Sequence, residues 1–332
     1  MEATGRTIRR LGVPQARVVR SALALAAWAM AVLAITPSGA TPLTQSLTAL
    51  VPFATAPFPY DGLVPGTGTP FLDIVRGGRR GHTAPRGGVY WEDETYADDR
   101  GLVFIPAGFD PTRPAILVAF FHGNQATLES DVLRRQNVAG QLQASGLNAV
   151  LVAPQFAIDA LDSSAGRFWQ PGAFAAWLAE ASDHLADLLG NRALAIDFDR
   201  MPVVLVAYSG GYLPAAYSLA VGGADGRLCG VILLDAVYGE VSLFADWIAR
   251  KRSAFLFSAY SASAASGNAA LIELLAARGI PTTRGSARDP IAPGGTAFLG
   301  VAAGHEDFLT RAWRPNPLQA LFAGIAAGQS CG

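Results

Sequence analysis

Cysteine, histidine and charge are all scarce in this chain of 332 residues, which has two cysteines, four histidines and 15% charged residues. Neither Cys229 nor Cys331 stands at metal-ligand spacing from a histidine, which argues against a structural zinc site, and nothing in the sequence calls for a cofactor. The 25 Lys plus Arg nearly cancel the 26 Asp plus Glu. No basic run follows the N-terminal region, so there is no electrostatic footprint for a nucleic acid partner. Internal repeats and low-complexity tracts are missing too, and a second domain is not needed.

What the chain does have is apolar bulk. At 51% hydrophobic residues it can bury a sizeable core and is too apolar for a disordered chain. Residues 1–40 read apart from the rest: Arg6, Arg9, Arg10, Arg17 and Arg20 precede an uncharged stretch from Ala22 to Ile35, with small side chains at Ser38-Gly39-Ala40. That is the architecture of an export signal, shorter in its apolar core than the roughly 20 residues a bilayer span needs. Cleavage near Ala40 and a periplasmic or secreted protein are expected; the competing reading is an uncleaved N-terminal anchor in the inner membrane. In an exported protein, Cys229 and Cys331 permit a disulfide, the alternative being two unpaired thiols.

Residues 41–86 are rich in Pro, Gly and Thr and read as a loop-rich lead-in. Two short β-type runs follow, Gly88 to Trp91 and Leu102 to Ile105, suggesting an antiparallel entry into a sheet. From Pro114 onward, continuous apolar runs alternate with helical segments. Strands buried on both faces are read at Ala115 to Phe121, Ala149 to Ala153, Val203 to Ala207, Val231 to Leu234, Ala254 to Ser258 and Ala297 to Val301. Helices fit between them at Leu128 to Ala144, Phe174 to Leu189, Gly211 to Val221, Leu243 to Arg250, Ala269 to Ala277 and Leu318 to Ala326. The alternation predicts an α/β domain over residues 87–332, with a mostly parallel central sheet and helices on both faces.

The sharpest local signal is Val203-Val204-Leu205-Val206-Ala207-Tyr208-Ser209-Gly210-Gly211, an apolar strand delivered into a serine bracketed by small residues and followed by a helical stretch. A strained strand-to-helix turn needs minimal side chains two positions either side of a nucleophilic serine. Taken alone, the pentapeptide is equally a βα turn with a capping serine. Two further segments set it in context: Phe120-Phe121-His122-Gly123-Asn124, ending an earlier strand, and Gly304-His305-Glu306-Asp307-Phe308, directly after the last strand.

In these motifs and their order, from about Gly88 to the C-terminus, the chain resembles the α/β-hydrolase superfamily, in its serine hydrolase branch. The resemblance implies that a His-Gly turn supplies one backbone N–H of an oxyanion hole, here Asn124, and that Gly210 supplies another. It also implies a general base placed after the nucleophile, which selects His305 and leaves His122 to order its own loop. His184 is read as a surface residue in a helix, and His82 lies in the lead-in. Most members carry the triad acid after the penultimate strand, where Ser258-Ala259-Tyr260-Ser261-Ala262-Ser263 offers no carboxylate. Asp235, immediately after Val231-Ile232-Leu233-Leu234, is then the chosen acid, as in some branches; Glu240, Asp246 and Asp289 are fallbacks. Haloalkane dehalogenases share the His-Gly-Asn turn but carry aspartate at the elbow, and Ser209 argues against that chemistry.

The expected activity is ester or related acyl hydrolysis through Ser209, His305 and Asp235, carboxylesterase- or lipase-like, on a small-molecule or lipid-like acyl substrate. Amidase, peptidase or acyltransferase activity fits the same residues. So does a silent hydrolase-fold envelope protein that binds a ligand, favoured by the missing acid after the penultimate strand. Pocket walls are expected from Gln155 to Gly172, with Phe156, Phe168 and Trp169, and from Ala236 to Trp247, the aromatics being equally readable as a small satellite core under a long loop.

Overall fold

The structure is a computed structural model and describes residues 43–284 and 292–325. The N-terminal segment, and with it the expected export signal, lies outside the described residues. Cys229 is buried. Cys331 and the bridge expected between the two cysteines also lie outside. Among the described residues, no helix is long and apolar enough to cross a membrane.

Among the described residues twelve strands run in chain order: β1 (Leu47–Pro52), β2 (Ile74–Arg76), β3 (Arg79–Thr83), β4 (Val89–Trp91), β5 (Arg100–Ile105), β6 (Ile116–Phe121), β7 (Ala149–Pro154), β8 (Val203–Tyr208), β9 (Leu228–Leu234), β10 (Phe255–Tyr260), β11 (Thr283–Arg284) and β12 (Thr296–Gly300). Nine form the central sheet in the order β1-β5-β7-β6-β8-β9-β10-β12-β11, and β2-β3-β4 form a small antiparallel sheet. From β7 across to β11 every neighbouring pair is parallel, while β1 and β5 enter antiparallel.

The helices are α1 (Glu92–Thr95), α2 (Val138–Ser145), α3 (Ala173–Leu188), α4 (Ala195–Arg200), α5 (Tyr212–Ala220), α6 (Val241–Arg250), α7 (Ala265–Ala277) and α8 (Pro317–Ala323). The strands explain why they pack as they do. Every residue of β6, β7, β8 and β9 is buried, and alternate residues feed two separate cores. Leu117, Ala119 and Phe121 join the core under α3, α5, α6 and α7. Ile116, Val118 and Phe120 join the core under α2 and α8. The architecture is the expected α/β one, a mostly parallel sheet between two helical layers.

Three expectations are corrected. Val89–Trp91 does not enter the central sheet; it closes the small sheet against β3, and the antiparallel neighbours of β5 are β1 and β7. The segment read as loop-rich contains β1, β2 and β3; β1 was missed because, as a sheet edge, it is only half-buried and shows weak alternation. The single helix expected from Leu128 to Ala144 is two, a π-helical stretch Leu128–Arg135 and α2, separated at Asn137, which adopts φ 48°. Asparagine tolerates this left-handed conformation, and apolar periodicity passes through it unaltered.

The sheet face under α3 is anchored by an aromatic cluster in which Phe168 lies 5.5 to 6.0 Å, ring centre to ring centre, from Phe121, Phe156, Phe174 and Trp177. Truncating a fully buried phenylalanine removes its transfer free energy and leaves a cavity. Phe168→Ala is therefore expected to lower unfolding stability by about 3 to 5 kcal/mol, read from urea denaturation midpoints.

Candidate active site

Strand order reverses on either side of β6, so the segments that leave the paired carboxyl ends of β6 and β8 part company above the sheet, the position at which parallel α/β sheets place ligands. The chain leaves β8 through Ser209, whose φ of 52° puts a residue with a β-carbon into the left-handed region. Such a conformation costs about 1 to 3 kcal/mol and must be held by its surroundings. Here the holding is steric. A β-carbon on Gly211 would sit 2.5 Å from the Phe121 carbonyl oxygen, one on Gly123 would sit 2.8 Å from Ser209 Cβ, and one on Gly210 would fall 1.9 Å from Asn124 Oδ1. The turn after β6 and the bend after β8 thus meet backbone to backbone, as only glycine allows.

His305 follows β12 in a short 3-10 turn and reaches back over the bend. Its Nε2 lies 2.7 Å from Ser209 Oγ and its Nδ1 lies 2.6 Å from Asp235 Oδ2. The carboxylate fixes the tautomer: Nδ1–H donates to Asp235, leaving the Nε2 lone pair for the serine hydroxyl. Tyr208 holds the histidine from the strand end. Its hydroxyl donates to the His305 carbonyl at 3.1 Å, and its ring stacks on the imidazole at 5.1 Å and 21°.

Asp235, directly after β9, has no solvent exposure. Burial of this size raises a carboxyl pKa, yet the group is held down at about 2 because hydrogen bonds outweigh it: His305 Nδ1–H, the Ser261 amide at 2.8 Å, and the hydroxyls of Ser263 at 2.9 Å and Ser261 at 3.0 Å. The Tyr238 hydroxyl adds a contact at 3.2 Å. The stretch after β10 that lacks a carboxylate therefore carries instead the hydroxyls that bind one projected from β9.

Asn124 and Gly210, expected to give the oxyanion N–H groups, are brought into direct contact at the bend. The Asn124 backbone N–H has no protein partner among the described residues, and its side-chain oxygen accepts from Ser163 Oγ at 3.0 Å. His122 is buried and neutral. Burial pushes its pKa down to about 4, its Nδ1–H donates to the Gly123 carbonyl at 2.8 Å, and its Nε2 accepts from the Phe156 amide at 2.9 Å. It orders the loop. His184, expected at the surface, is half-buried, its ring 4.6 Å from that of Phe53. Of the fallback acids, Asp246 pairs with Arg278 at 2.5 Å, Glu240 lies on a cavity wall, and Asp289 lies outside the described residues.

A polar pocket of about 280 Å³ opens on Ser209 and His305, with Asn124, Arg135, Gln136 and Glu306 among its walls. The buried Gln136 side-chain amide finds no partner there. A second cavity, of about 230 Å³, is walled by Leu161, Ser163, Trp169 and Tyr212 with His82 and Arg86 from the lead-in. Ser163, Tyr208, Tyr238, Ser261 and Ser263 were missed in the sequence because hydroxyl donors carry no spacing signature. The described residues hold no cluster of carboxylate, histidine or cysteine side chains able to bind a metal ion.

The mixed α/β architecture, with a large mostly parallel central sheet and helices around it, is the fold class expected from the sequence. No protein-family model and no curated relative matches the chain. Among solved structures it is similar to a serine-to-alanine mutant of the feruloyl esterase module from Clostridium thermocellum complexed with sinapinate, at 16% identity and a TM-score of 0.43, covering 85% of this chain and 95% of that one. It is also similar to a thermostable esterase from Pseudomonas putida, at 15% identity and a TM-score of 0.38, over 76% and 82% of the two chains. An IroE-like serine hydrolase from Shewanella oneidensis shows 13% identity and a TM-score of 0.35, over 62% and 70%.

The depressed pKa of Asp235 has a stability consequence of definite sign. A carboxyl whose folded value lies below its unfolded value near 4 stabilises the fold fully above that value and loses the contribution as pH falls toward 2. Between about pH 5 and pH 2 the native chain should therefore lose on the order of 2 kcal/mol more unfolding stability than Asp235→Asn, measured by urea denaturation across the pH series.

Proposed function

We propose that this chain is an exported serine hydrolase that cleaves ester or related acyl bonds, with Ser209 as nucleophile, His305 as general base and Asp235 as the acid that orients it. The observation that carries the reading is the unbroken relay of two short hydrogen bonds, 2.7 Å and 2.6 Å, from a strained serine to a buried carboxylate. The arginine-rich start and the apolar stretch from Ala22 to Ile35 favour export.

Ser209 Oγ attacks the acyl carbon while His305 Nε2 takes the hydroxyl proton, and the tetrahedral oxyanion faces the N–H groups of Asn124 and Gly210. Collapse breaks the bond to the alkoxy oxygen, which leaves with the proton returned by His305. Water then enters: His305 takes one of its protons, the hydroxyl bonds to the acyl carbon, and the Ser209 ester breaks with return of the proton to Oγ. Asp235 stays ionised throughout and stabilises the imidazolium at each proton transfer.

The missing carboxylate after β10 spoke for a silent binding protein. Asp235 removes that support, since a carboxylate held by the β10 end reaches His305 from the next strand. Ester over amide is the proposed leaving group, and the triad serves either.

Ser209→Ala is expected to abolish labelling by a fluorophosphonate probe and to lower kcat on short-chain p-nitrophenyl esters by about 10⁴ to 10⁶-fold. Asp235→Asn should cost about 10⁴-fold with the fold intact, because the amide favours the wrong imidazole tautomer. Labelling and turnover that survive Ser209→Ala would refute the assignment, and near-normal activity in Asp235→Asn would move the acid role elsewhere.

A further inference from the structure

We propose that Ser163 is a positioning residue for the oxyanion hole: its hydroxyl latches the Asn124 side chain against Gly210 and so aims the Asn124 N–H at the developing charge. The proposal rests on the hydrolase reading above.

The observation is a contact among three residues. Ser163 Oγ donates to Asn124 Oδ1 at 3.0 Å. Glycine at position 210 leaves room beside its α-carbon, and these two side chains fill it: a β-carbon there would collide with Asn124 Oδ1 and lie 2.8 Å from Ser163 Oγ. The latch thus closes on the two residues whose N–H groups face the oxyanion in the proposed mechanism. It also acts on direction. The Gly123 carbonyl and the Asn124 N–H belong to one planar peptide unit. His122 holds the carbonyl from behind at 2.8 Å, and the latch holds the Asn124 side chain from in front, so the plane between them cannot swing.

A latch needs a fixed anchor, and the loop between β7 and α3 provides one. Asp162 is buried, and its carboxylate accepts from the Tyr96 hydroxyl at 2.8 Å, the Ser164 hydroxyl at 2.8 Å and the Ser164 amide at 3.1 Å. The Leu161 amide donates to the Tyr90 hydroxyl at 3.1 Å. Ser163 sits within this frame. The turn it grips needs holding, because Gln125 adopts φ 61°, a left-handed conformation that persists only where contacts enforce it. The Gln125 amide donates to the Ala160 carbonyl at 3.0 Å. The same loop therefore holds the turn at two consecutive residues, once through backbone and once through Ser163. Replacing Ser163 by alanine leaves the backbone bond and removes the other, which loosens the donor without releasing the turn.

The test uses the full chain, p-nitrophenyl acetate and butyrate, and phenylboronic acid. The boron takes the Ser209 oxygen as a fourth ligand while the hydroxyl proton passes to His305, giving a tetrahedral anion in place of the reaction's own. Ser163→Ala is expected to lower kcat/KM about tenfold on both esters, part of the 10² to 10³ lost with a whole oxyanion donor, and to weaken the boronic acid by the same factor. Ser163→Thr, which keeps the hydroxyl, should stay within about twofold of the native chain. Asn124→Ala keeps the backbone N–H and removes the acceptor, so adding Ser163→Ala to it should cost nothing further. Unchanged kcat/KM in Ser163→Ala, a loss confined to one ester, or losses that multiply in the double variant would each overturn the proposal. If Ser163→Ala does not fold, Asn124→Ala breaks the same bond from its other end, and native turnover there overturns the proposal. Native labelling and turnover with an indifferent Ser163→Ala sink this proposal alone; a native chain that shows neither sinks the hydrolase reading and the latch together.

Discussion

The hydrogen bond between Asp235 Oδ2 and His305 Nδ1 joins the end of β9 to the turn after β12, and the site is assembled around it. An anion with no solvent exposure survives only where donors replace its water. The chain provides these from the end of the neighbouring strand β10, through the amide and hydroxyl of Ser261 and the hydroxyl of Ser263, and from its own loop through the hydroxyl of Tyr238. With the carboxylate ionised and fixed, the imidazole has one tautomer and one orientation, and its second nitrogen meets the serine. A change that loosens the serines beneath Asp235 thus reaches Ser209 through two hydrogen bonds, without touching Ser209 or His305.

The serine side of the site is held by shape. Gly123, Gly210 and Gly211 let two turns approach until their backbones touch, and the left-handed φ of Ser209 is the geometry that lifts its Oγ out of the bend. Rigid fixation of this kind suits chemistry in which donors must already face the place where charge develops. His122 serves the same end from behind, neutral and bonded at both nitrogens, so the turn carrying Asn124 cannot drift.

Much of this was legible in the residues, and the remainder was hidden for identifiable reasons. Fully apolar runs such as Val203–Tyr208 announce buried parallel strands, because nothing else accommodates six consecutive buried residues so short of a helix's length. The serine between small residues, and a histidine after the last strand, follow from what a tight bend and a proton acceptor each require. β1 and the small sheet were obscure because half-buried edge strands lose the alternation that marks a strand. The break at Asn137 was obscure because a single left-handed residue leaves the apolar spacing intact. The serines around Asp235 and the arrival of His82 at a cavity wall depend on contacts between distant segments, which no local pattern encodes.

As the proposed nucleophile, Ser209 is expected to become covalently acylated during turnover. Rapid acid quench of the native chain mixed with excess p-nitrophenyl ester, followed by mapping of the adduct by peptide mass spectrometry, tests it directly. The expected result is a burst of p-nitrophenol near one equivalent and an acyl group on the peptide containing Ser209. Sustained turnover with the acyl group on another residue would contradict it.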